Sequence, residues 1–160
     1  MSRPWKCLCI ALILGHGVHV RHLEAQTPSA RVRALAGCYT LTLGKWSGPL
    51  PATGDPAAHT PPAHFQLDTT PLNPRRGRGY RVEPTTLGSV HLAWSSWTVG
   101  PRDSVHIVWS TGLVGVELRL IADGDSLTGV ATTFHDAHMG GESLDPSARV
   151  AAVRSICSVR

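Results

Sequence analysis

From Gly37 onward, apolar residues recur at every second position, in short runs separated by glycine and proline. That period belongs to a strand with one buried face. A helix would bring the apolar residues round about every 3.6 positions. Tyr39, Leu41 and Leu43 alternate with Thr40 and Thr42. Phe65 and Leu67 alternate with His64, Gln66 and Asp68. Tyr80 and Val82 alternate with Arg81 and Glu83. Val90, Leu92 and Trp94 read as the fourth strand. Val105, Ile107 and Trp109 alternate with His106 and Ser110. Val116, Leu118 and Leu120 alternate with Glu117 and Arg119. Residues 127–134 and 149–156 complete eight strands. No stretch sustains three amphipathic helical turns. The pattern predicts an all-β domain, an eight-stranded antiparallel up-and-down barrel, with a β-sandwich as the alternative.

The connections agree with hairpins. Asp123-Gly124 reads as a two-residue turn that sets Leu120 opposite Leu127 and Leu118 opposite Gly129. Gly100-Pro101-Arg102-Asp103 turns one strand into the next. Two connections are long. Residues 47–63 carry five prolines and read as an extended loop rather than a helix. Residues 135–147 carry Gly140, Gly141 and Pro146.

The first 25 residues read as a signal peptide, to be excluded from the fold. Arg3 and Lys6 precede the apolar run Cys7–Gly15, and the apolar stretch ends near Val20. It is too short to span a bilayer, which takes about 20 apolar residues. Cleavage after Ala25 leaves residues 26–36 as a short linker or helical turn, capped by Ser29, and residues 37–160 as one barrel domain. Leu35-Ala36-Gly37-Cys38 matches a lipobox, but Arg21, Arg31 and Arg33 separate it from the apolar core. The chain is therefore expected to be secreted or periplasmic, with no transmembrane anchor in its mature form. An outer-membrane barrel fits poorly, because the strands are short and aromatic residues make up only 6%.

Cleavage also changes the cysteines and the charge. Cys7 and Cys9 leave, so Cys38 and Cys157 form the expected disulfide at the two ends of the domain. Losing Arg3, Lys6, Arg21 and Glu24 takes the balance from 15 against 11 to 12 against 10, a net +2. That charge does not argue for a nucleic-acid partner.

The run Gly37-Cys38-Tyr39-Thr40-Leu41-Thr42-Leu43-Gly44-Lys45-Trp46 resembles the opening strand of the calycins, the lipocalins and avidins. Residues 125–131 (DSLTGVA) are similar to their later hairpins. The resemblance implies an eight-stranded barrel with a ligand cup. The Gly-x-Trp unit follows the first strand here instead of preceding it, and no room remains for a C-terminal helix. No ligand-contacting residue carries over.

The residues themselves supply the site candidates. Trp94 and Trp109 fall on the inward phase of neighbouring strands, whereas Trp97 has the opposite parity and is expected to face outward or sit at a bulge. With Trp46 and the small residues Gly129, Ala131 and Thr133 they would line a cup for a small hydrophobic ligand. The alternative function is a non-catalytic structural or interaction module of the cell envelope, using Trp97, His106 and the proline loop. A third is a hydrolase or isomerase at the barrel mouth, with His64, His135 or His138 as base. His135, Asp136 and His138 are weak metal candidates, because glycine-rich loops rarely fix ligands; no cofactor is implied. Gly124-Asp125-Ser126-Leu127 spells a hydrolase signature, but it lies across a hairpin turn. Arg75, Arg76 and Arg78, followed by Arg81, form the one basic cluster and read as a solvated loop.

Overall fold

The computed structural model describes residues 28–52, 55–73, 79–135 and 145–157. The segment read as a signal peptide lies outside them, as do Arg75, Arg76, Arg78, Asp136 and His138. The chain forms a closed, eight-stranded antiparallel barrel. Its strands are β1 (Gly37–Leu43), β2 (His64–Pro71), β3 (Tyr80–Glu83), β6 (Trp94–Val99), β7 (Ser104–Ser110), β8 (Val114–Asp123), β9 (Ser126–His135) and β10 (Ser147–Ser155). Between β3 and β6 stands a separate two-stranded hairpin, β4 (Thr86–Leu87) with β5 (Val90–His91). Each barrel strand pairs with its neighbour in chain order, and β1 pairs with β10 to close the circle. This up-and-down architecture is consistent with a calycin-like barrel.

Closure is reinforced at the β1–β10 joint. Cys38 and Cys157 are disulfide-bonded with Cα atoms 5.2 Å apart. Arg154 on β10 donates to the carbonyls of Ala34 and Ala36 at 2.7 and 2.8 Å, and to the Asp125 carboxylate at 2.9 Å. Its guanidinium also lies 5.2 Å from the centre of the Tyr39 ring. Ala34 and Ala36 belong to the C-terminal end of the helix α1 (Ala30–Leu35), whose last carbonyls have no partner within the helix. Ser29 caps its other end, accepting from the Val32 amide at 3.2 Å. Residues 30–35 are more than a linker: Val32 and Leu35 are buried in the barrel core.

The opposite end of the barrel is covered by the proline-rich connection. Instead of staying extended throughout, it forms a short 3-10 helix at Pro56–His59. Pro56 sits where a helix needs no amide donor, and the Asp55 side chain accepts from the Ala57 amide at 2.9 Å. Ala58 and His59 are fully buried, and Leu87 and Leu92 from the β4–β5 excursion are buried too.

Two registers differ from expectation. The β8–β9 turn is centred on Gly124-Asp125, so Ala122 faces Leu127 and Leu120 faces Gly129. Gly124 takes φ 57° at the first central position, where a II′ turn needs glycine. Shifting the turn by one residue moves the pairing by two, so the inward set is unchanged. The fourth strand is also different. Val90 belongs to the β4–β5 hairpin, and the barrel strand begins only at Trp94. Its register sets Ser95 opposite Trp109 and Trp97 opposite Ile107. Trp97 therefore points inward and is fully buried, whereas Trp94 points outward and is 52% exposed.

A disulfide spanning 119 positions restricts nearly the whole unfolded domain. Replacing it by Cys38→Ser with Cys157→Ser is expected to lower stability by roughly 4–5 kcal/mol on the chain-entropy account. Urea unfolding of oxidised wild type against the double variant measures this. A loss below about 1 kcal/mol would mean that the β1–β10 ladder alone restrains the closed barrel.

Candidate functional site

The barrel interior is occupied by side chains. Tyr39 stacks on Phe65 with ring centres 5.4 Å apart, and Phe65 meets Trp109 edge-on at 5.8 Å. Tyr80 lies against Trp97 at 5.4 Å. Leu67, Ile107, Leu118, Leu120 and Leu127 fill the space between them. Both buried indoles have a fixed partner for their N–H. Trp97 donates to the Asp68 carbonyl at 2.8 Å, and Trp109 to the Pro84 carbonyl at 3.2 Å. Asp68 follows Leu67, where β2 bulges: the four steps from Leu67 to Pro71 span only the two from Val82 to Tyr80. A bulge takes carbonyls out of the ladder, and the indole takes up one of them.

The residues expected to line a cup are therefore dispersed. Trp109 is in the interior, but as packed core. Trp46 is partly buried against that core. Trp94 is on the outer wall. Ala131 and Thr133 face inward and are fully buried. Gly129 leaves no space, because a Cβ there would strike the carbonyl of Arg119 on β8. Its role is to let two strands approach closely.

Thr133 is joined to a residue that the sequence reading passed over. Its hydroxyl donates to the Gly115 carbonyl at 3.1 Å, so its oxygen must accept from His59 Nδ1 at 2.7 Å. His59 is thus held inside the barrel end as part of the plug. The histidines named as candidate bases stand elsewhere. His64 is exposed on the outer wall, with Nδ1 3.2 Å from Thr40 Oγ1. His135 ends β9, and His138 is outside the described residues. No group of three metal-binding side chains occurs among the described residues. His106, half-exposed on β7, is paired with Glu117 at 3.0 Å, and Arg119 holds the other oxygen of that carboxylate at 2.9 Å.

An open groove of about 340 Å³ runs instead across the outer wall at the β1–β10 joint. The registers Glu83 to Gln66, Gln66 to Cys38 and Cys38 to Ser155 carry one row of residues over four strands. Pro84 and Ile156 stand at its two ends, His64 flanks Gln66, and Tyr39 and Phe65 also contribute to the lining. The polar groups offered are an imidazole, a carboxamide, a carboxylate and a hydroxyl. The apolar ones are a disulfide-linked rim, a proline ring and the exposed Ile156 side chain. Nothing in the sequence marked these residues as a set, because only the strand registers bring them together.

Tyr39 links the groove to the closure. Its hydroxyl donates to the Leu35 carbonyl at 2.8 Å. Burial raises its pKa above the ordinary value of 10.0, the Arg154 cation opposes that shift, and the Asp125 charge adds to it. Tyr39 thus keeps its proton in the fold at a pH where the unfolded chain has lost it. Its contribution is whole below the unfolded value and is lost as pH rises through the raised one. Tyr39→Phe is expected to cost about 1 kcal/mol at neutral pH through the lost hydrogen bond. It should also flatten the loss of stability above pH 10.0. Urea unfolding at a series of alkaline pH values tests both, and an unchanged alkaline limb would remove Tyr39 as its source. Comparison with protein-family models, with curated proteins and with solved structures gives no match.

Proposed function

We propose that this is a non-catalytic binding protein acting outside the cytoplasm, and that it takes a small, partly apolar molecule on the outer wall of its barrel. The groove of about 340 Å³ carries this reading. Its volume falls within the roughly 300–1,000 Å³ usual for small-molecule sites. Its make-up suits a ligand with an apolar body, set against Ile156 and Pro84, and a polar end that bonds to Gln66, His64 or Glu83. The filled interior speaks against a ligand held in the resting core. The N-terminal apolar run and the Cys38–Cys157 bond support export to an oxidising compartment.

Gln66 is exposed on the floor of the groove, so Gln66→Trp fills the site without disturbing the core. A panel of amphiphilic probes, read by calorimetry, should include molecules that bind wild type one to one and lose at least about tenfold in affinity to this variant, a change of about 1.4 kcal/mol. Unfolding should be unaltered. Binding that ignores Gln66→Trp, or a panel without binders, would overturn the assignment.

A second reading rests on the end of the barrel covered by the proline-rich connection. Trp94 and Leu113 are 52% and 68% exposed there, and a Cβ on Gly112, next to Leu113, would lie 3.8 Å from Ala93. Exposed large apolar side chains on one rim suit a protein contact. If that is the function, Trp94→Ser with Leu113→Ser abolishes crosslinking to an envelope partner and leaves probe binding in the groove intact.

A further inference from the structure

The barrel wall is incomplete between β3 and β6. Most neighbouring strands are laddered over nearly their whole length; β7 and β8 pair from Ser104 to Ser110. Strands β3 and β6 meet only at Tyr80 with Trp97 and at Arg81 with Ser96. Pairing then stops. It resumes in the β4–β5 excursion, where the Leu92 amide donates to the Thr85 carbonyl at 3.3 Å and Thr86 faces His91. Residues 82–84 on one side and 93–95 on the other therefore face each other without backbone pairing, a window in the ladder of the wall.

Side chains close this window in place of a ladder. Ser95 Oγ donates to the Val82 carbonyl at 2.9 Å, on the line where the next backbone pair would have been. From inside, the Trp109 indole donates to the Pro84 carbonyl. One rim of the window is shared with the groove, since Glu83 and Pro84 line both. Both ends of the barrel are plugged, by α1 and by the Pro56–His59 helix. The β1–β10 joint, at the other end of the groove, is stapled by the disulfide. Among the described residues the β3–β6 ladder is the shortest in the wall, and it lies next to the groove.

We propose that the groove is the vestibule of a gated passage into the aromatic interior, that the window of residues 82–84 and 93–95 is the passage, and that Trp109 is its gate. When the indole leaves the Pro84 carbonyl, the apolar end of a groove ligand reaches the faces of Trp109 and Phe65. Segments held by few backbone hydrogen bonds open locally, without global unfolding. The occupant rests on the groove reading above; the gate does not.

Hydrogen exchange of the full-length protein, followed by NMR without ligand, tests the gate. The indole N–H of Trp109, and those amides of residues 82–83 and 93–95 that do not bond to β2 or β7, should exchange at least roughly a hundredfold faster than the amides of β8 and β9. Low denaturant should leave their rates unchanged, as expected for a local opening. Trp109→Phe keeps a ring in place but removes the donor; it should speed exchange at the window about tenfold and leave β8 and β9 alone. Protection of the Trp109 indole equal to that of β8 and β9 would overturn the gate. A groove that binds no probe while the window opens as described would overturn the groove reading instead.

Discussion

The fold depends on the pairing of its first strand with its last. A meander of strands has two free edges until β1 meets β10, and an open edge invites association with other chains. The register from Cys38 opposite Ser155 to Leu43 opposite Val150 removes both edges at once. It also fixes which face of every other strand points inward, because side chains alternate and each strand is locked to the next. The disulfide, the Arg154 bonds to the end of α1 and the Tyr39 hydroxyl all converge on this joint. Among the described residues it is the most cross-linked part, and the groove lies upon it.

Filling the barrel shapes the rest. A small eight-stranded barrel has an interior that side chains alone can fill. Here two tryptophans, two tyrosines and a phenylalanine take a large share of that space, and each indole N–H needs an acceptor once buried. The acceptors are carbonyls released where the sheet is irregular, at the β2 bulge and at Pro84 beyond β3. The large core residues and the imperfect wall are therefore complementary. A fully laddered β2–β3–β6 region would leave two buried donors without those partners, a cost of about 1–3 kcal/mol each.

Much of this was legible in the chain. Alternating Tyr39, Leu41 and Leu43, and likewise Val116, Leu118 and Leu120, identify half-buried strands without reference to neighbours, and the cysteine pair at the domain ends announces its bond. The error over Trp94 and Trp97 has a physical source. Val90, Leu92 and Trp94 alternate as a strand should, but the reversal at Gly88-Ser89 folds Val90 into a separate hairpin, and parity must be counted afresh from Trp94. His59 was missed for a similar reason: a histidine in a proline-rich loop carries no local mark of burial.

The sequence by itself determined the class of the fold and the count of barrel strands, because period and turn residues act over short distances, and the placement of Cys38 and Cys157 at the two ends of the strand pattern pointed to their cross-link. Only the tertiary structure decided where a ligand is best placed. The groove is assembled from Glu83, Gln66, Cys38 and Ser155, which are distant in the chain and made neighbours by strand register. The window exists because β3 and β6 pair only at Tyr80–Trp97 and Arg81–Ser96, although both strands run on beyond that point. Register and strand length are settled by competition among all eight strands for one closed, filled barrel, and no local stretch of sequence records the outcome.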